Sequence, residues 1–169
     1  MATITSSTNN CIKFVPRGSN PVWLRIHPGQ GCWSYMGRTK SNGAQDVSLQ
    51  QPGCVHEGVA IHEFLHALGF AHEQTRPDRD RYVKVYPENM ISGTEHNFQR
   101  FTNSEINTLG EAYDYGSIMH YQNDAFSKNG KPTIRPSLAG YENWESQMGR
   151  LYKLSGQDIR KLKKYYNCG

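Results

Sequence analysis

Eleven residues, "HEFLHALGFAH" from His62 to His72, constrain what this 169-residue chain can fold into more than any other stretch. On an α-helix a spacing of four puts His62 and His66 about 40° apart around the axis and one turn apart along it. Both imidazoles can therefore reach one ion. Glu63 follows His62 directly, which directs its carboxylate to the side of the ion where a water would sit; H-E-x-x-H is the helical zinc pattern with the glutamate as general base. Val55, Val59, Phe64, Leu65 and Leu68 are apolar at approximate helical spacing, so the pattern predicts a helix over roughly 55–68. Gly69 ends it, because glycine readily takes the positive φ that turns the chain back. That turn brings His72 toward the same ion as a third ligand. Three imidazoles leave one position for water, the mark of a catalytic rather than a structural zinc site.

Nearby, His56-Glu57 also opens with H-E, but the residue four beyond His56 is Ala60. It cannot complete the pattern, and His56 reads as a helix-start or surface residue.

The formal charge is +4, with basic residues scattered among acidic ones. A nucleic-acid face would need a basic stripe; the one basic run, Arg160 to Lys164, reads as the solvated side of a terminal helix. No segment approaches the roughly 18 apolar residues of a membrane span, and "MATITSSTNN" has no apolar signal-peptide region. Four cysteines, Cys11, Cys32, Cys54 and Cys168, contain no C-x-x-C pair. Even in number and widely spread, they suggest two disulfides and an oxidising compartment, with three pairings open.

The length suits one domain, built whole or as two small lobes around a cleft. "CIKFV", "PVWLRIH", "CWSYMGR" and "QDVSLQ" read as short strands separated by turn residues. Beyond the active-site helix lie a strand-like "YVKVY", a short helical stretch around "PENMISGTEHNFQRF", and turn-rich connections. A last helix is expected from about Gly156 to Tyr166, with Ser155 and Asp158 as a capping box and Ile159, Leu162 and Tyr166 on its buried face.

The extended pattern H-E-x-x-H-x-x-G-x-x-H is that of metzincins, and "SIMHY" supplies Met119 for the methionine turn that those proteins carry beneath the metal. With "HEFLHALGFAHEQTRPDRD", "YDYGSIMHY", "CIKFVPR", "GCWSYMGR" and "QDVSLQ", the chain resembles the catalytic domain of the astacin family of zinc endopeptidases, from about Cys11 to Cys168. Glu73 after the third histidine and Tyr121 two places after the methionine separate astacins from other metzincins.

The resemblance implies an α+β, metzincin-type fold: a small twisted, mostly parallel sheet with an antiparallel edge strand and the active-site helix in an N-terminal lobe, then an irregular C-terminal lobe ending in a helix. It implies a single peptidase domain over 1–169, with lobes of about 1–72 and 73–169 and a zinc cleft between them. His62, His66 and His72 would bind one catalytic Zn2+ and Glu63 would handle protons. Tyr121 would be a displaceable further ligand that helps stabilise the oxyanion. Gly69, Glu73 and Met119 would give structural support, and "RPDRD" would brace the segment after the third ligand. The implied disulfides are Cys11 with Cys168 and Cys32 with Cys54. Extended peptide or protein substrates would lie along the edge strand carrying "GCWSY". The expected protein is secreted and monomeric as this domain, with neither nucleic acid nor a membrane span involved.

Two departures from the family stand out. Relatives carry about thirty more residues before the position of Cys11, so the chain is expected to be N-terminally truncated. Glu73, which in the family meets the buried N-terminus, is then left with two readings: that link, or a local pair with Arg76. Relatives with Gly-Gln-Arg before the last helix use the arginine to select acidic residues after the cleaved bond. Here the order is Met148-Gly149-Arg150-Leu151, which makes Arg150 or Lys153 the candidates for a weak preference. A non-catalytic binding module is the competing reading, separable by whether zinc is held without turnover.

Overall fold

The computed structural model describes residues 1–169 and groups them into two compact units, one of Met1–Phe70 with Tyr152–Gly169 and one of Ala71–Leu151. The C-terminal segment, expected in the second lobe, thus belongs with the first. A disulfide between Cys11 and Cys168 ties it there.

In the first unit α1 (Ala2–Ser7) anchors itself through Ile4, which has no exposed surface. Three strands follow: β1 (Val22–His27), β2 (Cys32–Ser34) and β3 (Gly43–Leu49). β3 is central, parallel to β1 from Val22↔Gly43 to His27↔Ser48 and antiparallel to β2 at Cys32↔Leu49 through Ser34↔Val47. Gln45 and Val47, two apart on β3 and hence on one face, are buried. The disulfide Cys32–Cys54 joins β2 to the loop before α2 (Glu57–Ala67), and α2 packs on β2 and β3.

Within α2, Ile61, Phe64 and Leu65 are buried at the i, i+3, i+4 spacing of a single helical face. The expected strand "CIKFV" is not formed. Ile12 is buried and the Phe14 ring packs 5.3 Å from that of Phe64, so the alternation records which side chains turn inward; no strand pairs with the segment.

The last helix, α3 (Gly156–Tyr165), carries a reciprocal capping box: Asp158 N–H donates to Ser155 Oγ and Ser155 N–H to Asp158 Oδ2, both at 2.9 Å. Leu162 is fully buried. Tyr166, expected on that buried face, instead lies just past the helix, 40% exposed, with its hydroxyl donating to the Leu68 carbonyl at 3.0 Å.

The second unit has one antiparallel pair, β4 (Val83–Val85) with β5 (Ile134–Pro136). Its core gathers Val83, Met90, Phe98, Tyr113, Tyr115, Ile134 and Met148. The helical stretch expected around residues 87–101 breaks into 3₁₀ turns at Pro87–Asn89 and Glu95–Phe98. Gly93 lies between them at φ +88°, a conformation that interrupts any helix.

Candidate active site

His62 and His66 stand one turn apart on α2, their rings 4.7 Å apart and edge to face. The helix ends at Leu68 in a Schellman motif: Gly69 (φ +99°) donates its N–H to the His66 carbonyl at 2.8 Å, and Phe70 donates to the Leu65 carbonyl at 3.0 Å. This reversal presents the Phe70 carbonyl to Nδ1 of His66 at 2.8 Å. A carbonyl can only accept, so Nδ1 carries the proton and Nε2 is the nitrogen that bears the lone pair a ligand needs. Burial, and then the neighbouring His62, push the His66 imidazole down to about 4, which keeps the ring neutral. One ligand atom from each of His62, His66 and His72 falls within 4.8 Å of the other two.

Between the helical histidines Glu63 is 5% exposed, and its Oε2 has no hydrogen-bond partner. Burial raises its carboxyl to about 7. A buried carboxylate oxygen with no partner costs a folded chain free energy. Its persistence next to three convergent imidazoles fits a group reserved for a ligand, and the donor set fits zinc.

Glu73 begins the clamp behind His72. Its N–H donates to the Met119 carbonyl at 3.0 Å, and its Oε1 accepts from Asp114 N–H at 2.9 Å and from Arg76 Nη1 at 3.1 Å. The local pairing with Arg76 is therefore present. Arg76, 4% exposed, also bonds both carboxylate oxygens of Asp78 at 2.8 Å and the carbonyls of Glu111 and Ala112 at 3.0 Å. Arg79 donates to the carbonyls of Gln74 and Phe98. Within "RPDRD", Arg76, Asp78 and Arg79 thus fasten the segment after His72, whereas Asp80 is an exposed partner of Arg79 and Arg100. Met119 is 2% exposed, in a turn where its N–H donates to Ser117 Oγ at 3.0 Å.

Tyr121 lies with its ring 4.5 Å from that of His72 and 5.6 Å from that of Phe98. Arg150 makes a 3.1 Å pair with Asp124 and reaches Asn123 Oδ1 at 3.3 Å; Lys153 is exposed. Sequence reasoning passed over His120, which proves to be buried with both ring nitrogens bonded. A histidine wedged between the turn methionine and Tyr121 was the available signal.

A sequence model of the peptidase family described as Astacin matches residues 1–167. Zinc metalloproteinase nas-4 of Caenorhabditis elegans is 44% identical over 163 residues, covering 95% of this chain and 50% of the relative. Low choriolytic enzyme of Oryzias latipes is 44% identical over 158 residues, 94% of this chain and 55% of the relative. The chain therefore spans about half the length of these two proteins. Among solved structures, high choriolytic enzyme 1, a hatching enzyme zinc-protease from Oryzias latipes, superposes with a TM-score of 0.86 at 38% identity, covering 99% of this chain and 82% of that one.

Proposed function

The chain belongs to the astacin family of peptidases, and from that premise we propose that it is a zinc-dependent endopeptidase that hydrolyses peptide bonds of proteins, the whole chain acting as one peptidase domain. The observation that carries this is the convergence of His62, His66 and His72, each with a ligand atom within 4.8 Å of the others. When bound by these three, zinc supplies Lewis acidity, bringing the pKa of water toward neutrality and polarising a carbonyl.

The chain's own residues supply the rest. Glu63 takes a proton from the attacking water and passes it to the leaving amine; its buried, unpartnered Oε2 suits that task, as does a carboxyl raised to about 7. Tyr121 donates a hydrogen bond to the oxyanion, and with the three histidines it would hold the metal in the resting protein. Such a donor contributes most when aimed at charge that exists only in the transition state. Substrate lies extended along the open edge of β2, where main-chain bonds supply much of the binding. Trp33 and Tyr35 are exposed beside it. The two disulfides support secretion into an oxidising compartment.

Cleavage of an unstructured protein substrate tests the proposal. A chelator abolishes turnover and zinc restores it, and Glu63→Gln keeps stoichiometric zinc while losing roughly 10²- to 10⁴-fold in kcat. Zinc bound by the wild type without any turnover would make the chain a binding module. We also infer a weak preference for acidic residues after the cleaved bond, carried by Arg150 or Lys153. Asp124 already meets part of the Arg150 charge, which keeps the preference weak. A peptide library profiled before and after Arg150→Ala and Lys153→Ala reads it, and indifference to acidic residues there removes it.

A further inference from the structure

The main chain of Tyr121 is held at each polar atom by a buried group. Its N–H donates to Oε1 of Gln74 at 3.1 Å, and Gln74 has no exposed surface. Its carbonyl lies 2.7 Å from Nδ1 of His120. That carbonyl must accept, so Nδ1 bears the proton, and Nε2 is paired with the Tyr113 hydroxyl at 2.8 Å. Tyr113 is itself fixed, its ring stacked 4.8 Å from that of Tyr82 and buried. Gly149 closes on the same peptide group. At φ +70°, a Cβ there would stand 2.2 Å from Gln122 N and 2.4 Å from Tyr121 C, so the two stretches of backbone touch where no side chain fits.

We propose that His120 is a positioning residue for Tyr121: held by Tyr113, it orients the Tyr121–Gln122 peptide directly, and with it the direction in which the phenol projects. This rests on the reading of Tyr121 as the oxyanion donor. The hydroxyl sits at the far end of the side chain, so a small rotation of the peptide moves it further than it moves the main chain. Donor and oxyanion must meet within a few tenths of an ångström to be of use. A histidine serving only to satisfy buried polar groups would act independently of the phenol.

Steady-state kinetics of the zinc-loaded protein in two backgrounds separates these roles. His120→Leu lowers kcat roughly 10- to 100-fold with little change in KM. In the Tyr121→Phe background the same substitution changes kcat less than about 2-fold, because the group it positions is already gone. His120→Asn, whose amide keeps a donor near the place of Nδ1, recovers most of the loss. Should His120→Leu not fold, Tyr113→Phe is read in the same two backgrounds and follows the same pattern at smaller size. Equal losses in both backgrounds, or a loss that tracks zinc content, overturn the positioning role while leaving the peptidase reading intact. A Tyr121→Phe variant with undiminished kcat overturns the role of Tyr121 and that of His120 with it.

Discussion

Phe70 fixes the tautomer of His66: its carbonyl accepts a hydrogen bond from Nδ1–H at 2.8 Å, and it is in place only because Gly69 reverses the chain at φ +99°. Gly69→Ala forces a side chain into a left-handed conformation, at a cost of about 1–3 kcal/mol. It also moves the carbonyl that orients a ligand, so zinc affinity falls about 10- to 100-fold. Chelator competition at neutral pH measures the second effect and urea unfolding the first.

Arg76 uses its guanidinium on Glu73, Asp78 and two carbonyls while 4% exposed. Arg76→Met leaves Glu73 buried without that cation. Removing one partner of a buried pair costs about 3–5 kcal/mol, read as a lower urea midpoint with zinc present.

The same arginine sets a pH dependence. Hydrogen bonds from Arg76 hold the Asp78 carboxyl below its ordinary value. A depressed carboxylate contributes stability that is fully present above its unfolded pKa, about 3.9, and that disappears as pH falls through the lower folded value. Asp78→Asn therefore unfolds at lower urea than wild type at about pH 7, and the gap narrows below about pH 4. A gap that stays constant as the pH is lowered from about 7 to about 2 contradicts the pairing.

The two disulfides close loops of very different length, with sequence separations of 157 and 22 between the partners. By chain entropy the first stabilises the fold by about 5 kcal/mol and the second by about 3 kcal/mol. Paired Cys→Ser substitutions compared by calorimetry should keep that order.

The chemistry of α2 is legible in the sequence because a helix converts spacing into direction: His62, Glu63 and His66 have their relative positions fixed by about 3.6 residues per turn, and Gly69 announces its own turn. The capping box of α3 is legible for the same reason, since Ser155 and Asp158 are three apart. What lies beyond local geometry is harder to read. Ile12 and Phe14 alternate like strand residues yet meet no partner strand, a matter of distant chain. The bonds of Arg76 go to residues as far away as Ala112, which no local pattern marks. His120 was hidden for a related reason: its role depends on Tyr113, seven residues earlier, and its neighbours Met119 and Tyr121 already accounted for the motif.

The unit that carries β1, β2, β3, α2 and α3 is not continuous in the chain, since Ala71–Leu151 separates its parts. During synthesis the sheet and the helix bearing two of the three histidines emerge long before Leu162 can complete their core or Cys168 can meet Cys11. The ribosome must therefore release residues through Cys168 before this half can become fully native. Until then the earlier segment waits, incompletely packed, while the intervening residues are made, and an oxidase arriving early would find Cys32 and Cys54 ahead of the pair that seals the unit.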